Sequence, residues 1–235
     1  MRGTDQTADE AARRVANFPY FSSGSRGLDG LLGGGYRAGT LTEVFGESNS
    51  GKTQLAMQAA LLAAKAGSKT LFVDTEGSFR PERMEQMASA RGLEIQGLLE
   101  RVVYVRSDSY TEQMDTVRRM GGREATADCR FVVIDTLTRN FSVELPGRSN
   151  LADRQGALNV HLSEMARDAY LNERAYLLTN RVTFGTVGAV SIGGNTVEQL
   201  VHASVMLTRE RDGVRATLPA SGRGVRMTIG AGGVD

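Results

Sequence analysis

The sequence has one cysteine, Cys129, so no internal disulfide can form, and the cytoplasm is the expected compartment. It has no excess of either charge: Lys+Arg is 28 and Asp+Glu is 27, a formal net charge of +1. That excludes a protein that coats nucleic acid by bulk charge and leaves room for a local basic loop. No stretch approaches the roughly 18 consecutive apolar residues of a membrane span. Residues 1–14 place no apolar segment behind their charges, so neither a secretory signal nor a membrane partner is expected. The histidines, His161 and His202, read as a helix-surface or core residue and a strand residue, and carry no chemistry. What is present, 40% hydrophobic and 23% charged residues, predicts a folded domain with a sizeable core. Glycine is the excess, 28 of 235 residues or about 12%, against an average near 7%.

The glycines gather at 33–46, 185–194 and 222–233. Between them, short β-rich runs at 40–45, 70–74, 102–105, 131–135 and 175–179 alternate with helical stretches at 52–65, 81–91, 110–120 and 151–172. Pro81 sits in a first helical turn, where its missing N–H is not needed. Leu151, Leu158, Leu162, Met165 and Ala169 form one stripe of the longest helix. The run before Asp135, Phe131-Val132-Val133-Ile134, lacks polar alternation and predicts a strand buried on both faces. From 202 the pattern becomes consecutive strands, at 202–209, 214–218 and 225–229, with no intervening helix. The expected fold is α/β, a mainly parallel central sheet flanked by helices with a β-rich C-terminal edge. The expected organisation is a linker or arm at 1–20 and one core domain at 21–235.

Gly46-Glu47-Ser48-Asn49-Ser50-Gly51-Lys52-Thr53 fits G-x-x-x-x-G-K-[ST] at every fixed position. A strand precedes it and a helix opens at Lys52, which a chance glycine-rich turn would not require. The glycines let backbone N–H groups face a triphosphate, and the helix N-terminus adds a favourable dipole. Lys52 would reach the β/γ-phosphates and the Thr53 hydroxyl would ligate Mg²⁺. Asp135, closing a buried strand, is placed as a second magnesium group. A general base for water belongs at the end of a strand beside the phosphate loop. Asp74 and Glu76 share one period-two face there, and spacing does not choose between them.

Taken together, the chain resembles the RecA-family ATPase core in its archaeal and eukaryotic branch, the RadA and RadB recombination proteins. The similarity runs from about Ser22 to Gly233. It is carried by Ser22 to Gly35, by Asp74 to Arg83, by Ile134-Asp135-Thr136, Pro146-Gly147-Arg148, Thr179-Asn180 and Gly193-Gly194-Asn195. The resemblance implies a RecA-like P-loop ATPase with ATP and Mg²⁺ as ligands. It implies that Glu76 activates water, that Gln54 belongs with the phosphate loop, and that Arg83 stacks on adenine. It further implies two DNA-facing loops. One spans 140–154 with Arg148 and Arg154, and the other spans 181–195 with Gly193, Gly194 and Asn195. Solvated loop charge is the plain alternative for the two arginines, and a flexible surface loop for the glycine-rich segment.

The sequence departs from a complete recombinase in several places. It begins just before the core, so the small N-terminal DNA-binding domain of RadA is not expected. Asp5 stands at the phenylalanine position of the self-association motif Phe-x-x-Ala, and no aromatic residue precedes Phe18. Arg181 replaces the glutamine of Thr-Asn-Gln-Val, and no acid occurs between Gly213 and Val234. Arg181 is expected to act catalytically on the γ-phosphate in cis or to hold a DNA phosphate, with solvent or an acid partner as the bland alternative. The implied function is an ATPase of homologous recombination and DNA repair, a RadB-like accessory protein or a RadA-like core. Single-stranded DNA and a RadA-type recombinase are the expected partners, and a monomer or weak oligomer is expected without DNA. The alternatives are a KaiC-like regulatory ATPase without DNA and a non-hydrolysing ATP-switch module.

Overall fold

The structure, a computed structural model, describes residues 7–120, 126–185 and 188–235. Helix α1 (Ala8–Ala16) opens on a capping box, in which Thr7 Oγ1 accepts from the Glu10 N–H and Glu10 accepts from the Thr7 N–H. Strands β1 (Tyr20–Phe21) and β2 (Tyr36–Arg37) pair antiparallel around α2 (Arg26–Leu31). Then β3 (Leu41–Gly46), α3 (Lys52–Lys65), β4 (Lys69–Asp74), α4 (Pro81–Ala90), β5 (Val102–Arg106), α5 (Tyr110–Arg118) and β6 (Cys129–Asp135) alternate. They are followed by α6 (Arg139–Glu144), α7 (Leu151–Asn172), β7 (Ala175–Gly185), β8 (Gly188–Ser191) and α8 (Asn195–Leu200). The chain closes with β9 (Ala203–Glu210), β10 (Gly213–Thr217), β11 (Gly224–Met227), β12 (Ile229–Gly230) and β13 (Gly233–Val234).

The main sheet has the order β11-β10-β9-β3-β7-β6-β4-β5. From β9 to β5 every pairing is parallel, and β9-β10-β11 is antiparallel. The expected α/β architecture with a β-rich edge is therefore what the chain forms. The unbroken apolar run of β6 has a simple cause. Phe131 and Val133 enter the core under α3, while Val132 and Ile134 enter the core against α5 and α7. Fully burying such side chains is worth about 1.5–3 kcal/mol each. Ala56, Ala59, Ala60 and Ala63 leave α3 slim enough to lie close to the sheet, and all are buried.

Several elements differ from the sequence pattern. Residues of the expected 1–20 arm form α1, whose Arg14 lies over the Tyr170 ring and donates to the carbonyls of Tyr170 and Leu171. Phe18 enters the core. Leu151, the first residue of α7, is exposed, while Leu158, Leu162, Met165 and Ala169 are buried as expected. Strand β7 continues past Thr179 to Gly185 and pairs with β8 as an antiparallel hairpin, where a loop was expected. The strand expected at 225–229 breaks at Met227, and β12 pairs with β13 as a separate ribbon. Gln58, buried in α3, donates to the carbonyls of Ser23 (2.7 Å) and Val234 (2.8 Å) and accepts from the Val234 N–H (2.7 Å). One side chain thus ties the ribbon and the early chain to α3.

His161 of α7 is completely buried, with its Nε2 3.3 Å from the Gln113 amide and its ring against Phe141. Burial, aided by the Arg118 charge, holds its pKa down to about 3 from 6.5. Between those values the unfolded chain binds a proton that the folded chain refuses. Its contribution to stability is therefore complete above pH 6.5 and is lost as the pH falls toward 3. The stability advantage of the wild type over H161Q should shrink by about 2 kcal/mol between pH 7 and pH 5, read from urea midpoints. A constant difference across that range would contradict a neutral buried imidazole.

Candidate active site

The phosphate loop leaves the end of β3. A side chain at Gly46 would run into the Leu207 carbonyl, and Gly51 adopts φ +93° as the N-cap of α3, a conformation that favours glycine. Gly51, Lys52, Thr53 and Gln54 open the helix, so their N–H groups have no preceding helical carbonyl to meet. With Asn49 and Ile229 they line a cavity of about 220 Å³. The Lys52 ammonium donates to the carbonyls of Gly46 (2.9 Å) and Glu47 (2.6 Å) and lies 3.4 Å from Ser50 Oγ. Burial lowers the Lys52 pKa, and the nearby Asp135 charge opposes that shift. Glu47 and Ser48 are exposed on the loop. Convergent N–H groups beside one ammonium form a donor set suited to phosphate oxygens.

Asp135 lies at the C-terminal end of β6 and is buried. Its carboxylate accepts from the hydroxyls of Thr53 (2.9 Å), Ser78 (2.8 Å) and Thr179. Burial raises its pKa, against the pull of those hydrogen bonds. These are hard oxygen donors, the chemistry that Mg²⁺ takes. Among the described residues, no group of three or more His, Cys, Asp and Glu side chains could hold a metal ion.

Asp74 is opposite Asp135 in the β4–β6 register, and its surroundings differ from those of Glu76. Asp74 is completely buried and accepts from the N–H groups of Glu76 (3.0 Å), Gly77 (2.8 Å), Ser78 (3.2 Å) and Phe79 (3.1 Å), and from the Tyr104 hydroxyl (3.2 Å). A carboxylate so engaged shapes the following turn. Glu76, one turn position on, sits 2.7 Å from the Arg181 guanidinium through its Oε1. That oxygen is buried without an aligned hydrogen bond, so the contact is a charge pairing.

Arg83 is held by Gln54 (2.8 Å), Gln86 and the carbonyls of Gly230 (2.6 Å) and Ala231 (3.1 Å). It therefore borders the phosphate loop from the side of the C-terminal ribbon. Arg154 donates to the Leu145 carbonyl (2.7 Å) and braces the segment before α7. It also lines a groove of about 550 Å³ together with Thr183, Ile192, Gly193, Gly194 and Asn195, so the two segments expected to face DNA meet there. Arg148 is exposed and lies outside that lining.

Sequence reasoning gave no role to Ser78, Thr179 or Glu43. Glu43, a charge inside the apolar run of β3, was the available signal. Its carboxylate accepts from Asn180 (2.9 Å), Ser191 and Ser204 (3.2 Å), and Asn180 also accepts from Thr138 (2.7 Å). This buried network pins the base of the β7–β8 hairpin to the strand that leads into the phosphate loop. Burial raises the Glu43 pKa, and its donors pull the other way.

A family model described as Rad51 matches residues 14–216. The DNA repair and recombination protein RadA of Metallosphaera sedula is 37% identical over 218 residues, covering 88% of this chain and 67% of that protein. The protein of the same name from Ignicoccus hospitalis is 34% identical over 226 residues, covering 89% of this chain and 69% of that protein.

The two acids of the turn should separate in their effects on stability. D74A removes the acceptor of several part-buried N–H groups and should destabilise by about 1–3 kcal/mol. E76Q, at a partly exposed pair, should stay within about 0.5 kcal/mol of the wild type. Urea denaturation of both variants checks this, and equal midpoints would refute the distinction.

Proposed function

Because the chain belongs to the Rad51 family, we propose that it binds ATP with Mg²⁺, hydrolyses it and acts on single-stranded DNA in homologous recombination and repair. Asp5 at the self-association position, Arg181 in place of glutamine and the lack of an acid between Gly213 and Val234 favour a RadB-like accessory role, alongside a RadA-type recombinase, over an autonomous strand-exchange protein. The observation that carries the reading is the Thr53–Asp135 contact of 2.9 Å at the opening of α3, with Glu76 at the neighbouring strand end.

The reaction is ATP + H₂O to ADP + phosphate. The N–H groups of residues 51–54 and the Lys52 ammonium hold the phosphate chain and stabilise charge as the terminal P–O bond breaks. Thr53 and Asp135 would hold Mg²⁺, which neutralises phosphate charge when bound. Glu76 takes the proton of the attacking water at a carboxylate oxygen. Arg83 and Ile229 flank the far side of the loop, where a nucleobase would lie. The groove lined by Arg154 and Gly193, Gly194 and Asn195 supports contact with single-stranded DNA, and exposed Arg148 adds a charge beside it.

Among the described residues no helix is long and apolar enough to cross a membrane. Asp5 lies outside the described residues. An acid in place of a buried aromatic anchor supports a monomer or weak oligomer without DNA, since such anchors dominate interface energy.

K52A should abolish detectable ATP binding in a folded protein, measured with a fluorescent nucleotide, and unchanged affinity would overturn the phosphate-site assignment. E76Q should bind ATP and lose hydrolysis by about 10²–10⁴-fold, because an amide cannot take the proton. Single-stranded DNA affinity should fall with salt, and R148A should make the log–log slope shallower by about 0.7. Absence of DNA binding at any salt concentration would instead favour a regulatory ATPase without DNA.

A further inference from the structure

Arg181 is the neighbour of Gly46 in the β3–β7 register, so its side chain leaves the sheet beside the first residue of the phosphate loop. Its guanidinium, about half exposed at 51%, lies 2.7 Å from the buried Oε1 of Glu76. Its backbone does something else. The Arg181 carbonyl accepts from the Ile192 N–H (3.0 Å), and Val182 pairs with Ser191 to begin the β7–β8 hairpin. Ile192 and Thr183 line the groove already described, so one residue contacts the acid with its side chain and the groove wall with its backbone.

We infer that Arg181 is a charge brake on Glu76, released when a phosphate of single-stranded nucleic acid takes its guanidinium. The inference rests on the reading of Glu76 as the base that activates water. An oxygen paired with a guanidinium offers less negative charge to a water proton and is held in one orientation. A half-exposed pair is weak, so the restraint is modest and releasable, about two- to five-fold in turnover. A phosphate presents the planar fork with an equivalent target, and Arg181 stands two residues before Thr183 of the groove lining, on the same face of β7. Arg181 in this role is a positioning residue: it acts through Glu76 and transfers no proton itself.

The test measures ATP turnover at saturating nucleotide, and nucleotide affinity separately, for the wild type, R181Q, R181K, E76Q and E76Q/R181Q, each with and without a single-stranded oligonucleotide. Without DNA, R181Q should turn over about two- to five-fold faster than the wild type at unchanged nucleotide affinity, with R181K between them. The oligonucleotide should bring the wild type to the R181Q rate and leave R181Q near its own. E76Q/R181Q should be no faster than E76Q. A slower R181Q would make Arg181 a direct contact of the reacting phosphate and overturn the brake, as would an unchanged rate. Equal stimulation of the wild type and R181Q by DNA would overturn the release. If E76Q itself hydrolyses at the wild-type rate, the base reading fails; if E76Q is inactive and R181Q is no faster, only the brake fails.

Discussion

The site depends on satisfying one carboxylate where water hardly reaches it. Asp135 is buried at the end of an interior strand, an environment that penalises charge. Hydroxyls from three different elements answer that penalty: Thr53 from the helix after the phosphate loop, Ser78 from the turn after β4, and Thr179 from β7. Each of these bonds ties its parent segment to the end of β6. The phosphate loop, the turn bearing Glu76 and the root of the hairpin are thus registered on one carboxylate. A parallel sheet makes this arrangement available, because its strands deliver their C-terminal ends to the same side.

A second buried acid, Glu43, performs a similar task one layer away. It gathers Asn180, Ser191 and Ser204, while Asn180 reaches back to Thr138, three residues after Asp135. Hydrogen bonds therefore run from the residues flanking the phosphate site to the hairpin that lines the groove. Partly satisfied polar networks are costly inside a protein, so such a chain fixes the hairpin base firmly. The hairpin tip is different in character: Phe184 is largely exposed there.

Much of this was legible in the residues. The span of α3 and the two-faced burial of β6 followed from local patterning, because those signals lie within one segment. What escaped the sequence was decided by partners distant in the chain. Asp74 and Glu76 share a face, and only the four N–H groups turned toward Asp74 distinguish them. Arg181 offered several targets by charge alone, and the structure seats it on Glu76. Glycine at 185 and 188 suggested a loop, yet β8 supplies a strand for β7 to pair with. The helix over Ala8–Ala16 carries its own capping box, so its start was readable, while its docking through Arg14 was not.

The clasp at Gln58 has a mechanical consequence. The ribbon of β12 and β13 places Ile229 in the wall of the phosphate cavity and is bolted by Val234 to the middle of the helix that begins with Lys52. Gly233 has no room for a side chain against that amide. The last residues are therefore fastened to α3 at one point, through the Gln58 amide. Strain applied to the C-terminal edge, whether by a fused domain or a docked protein, is carried through that amide to the helix whose first turn lines the cavity beside Ile229.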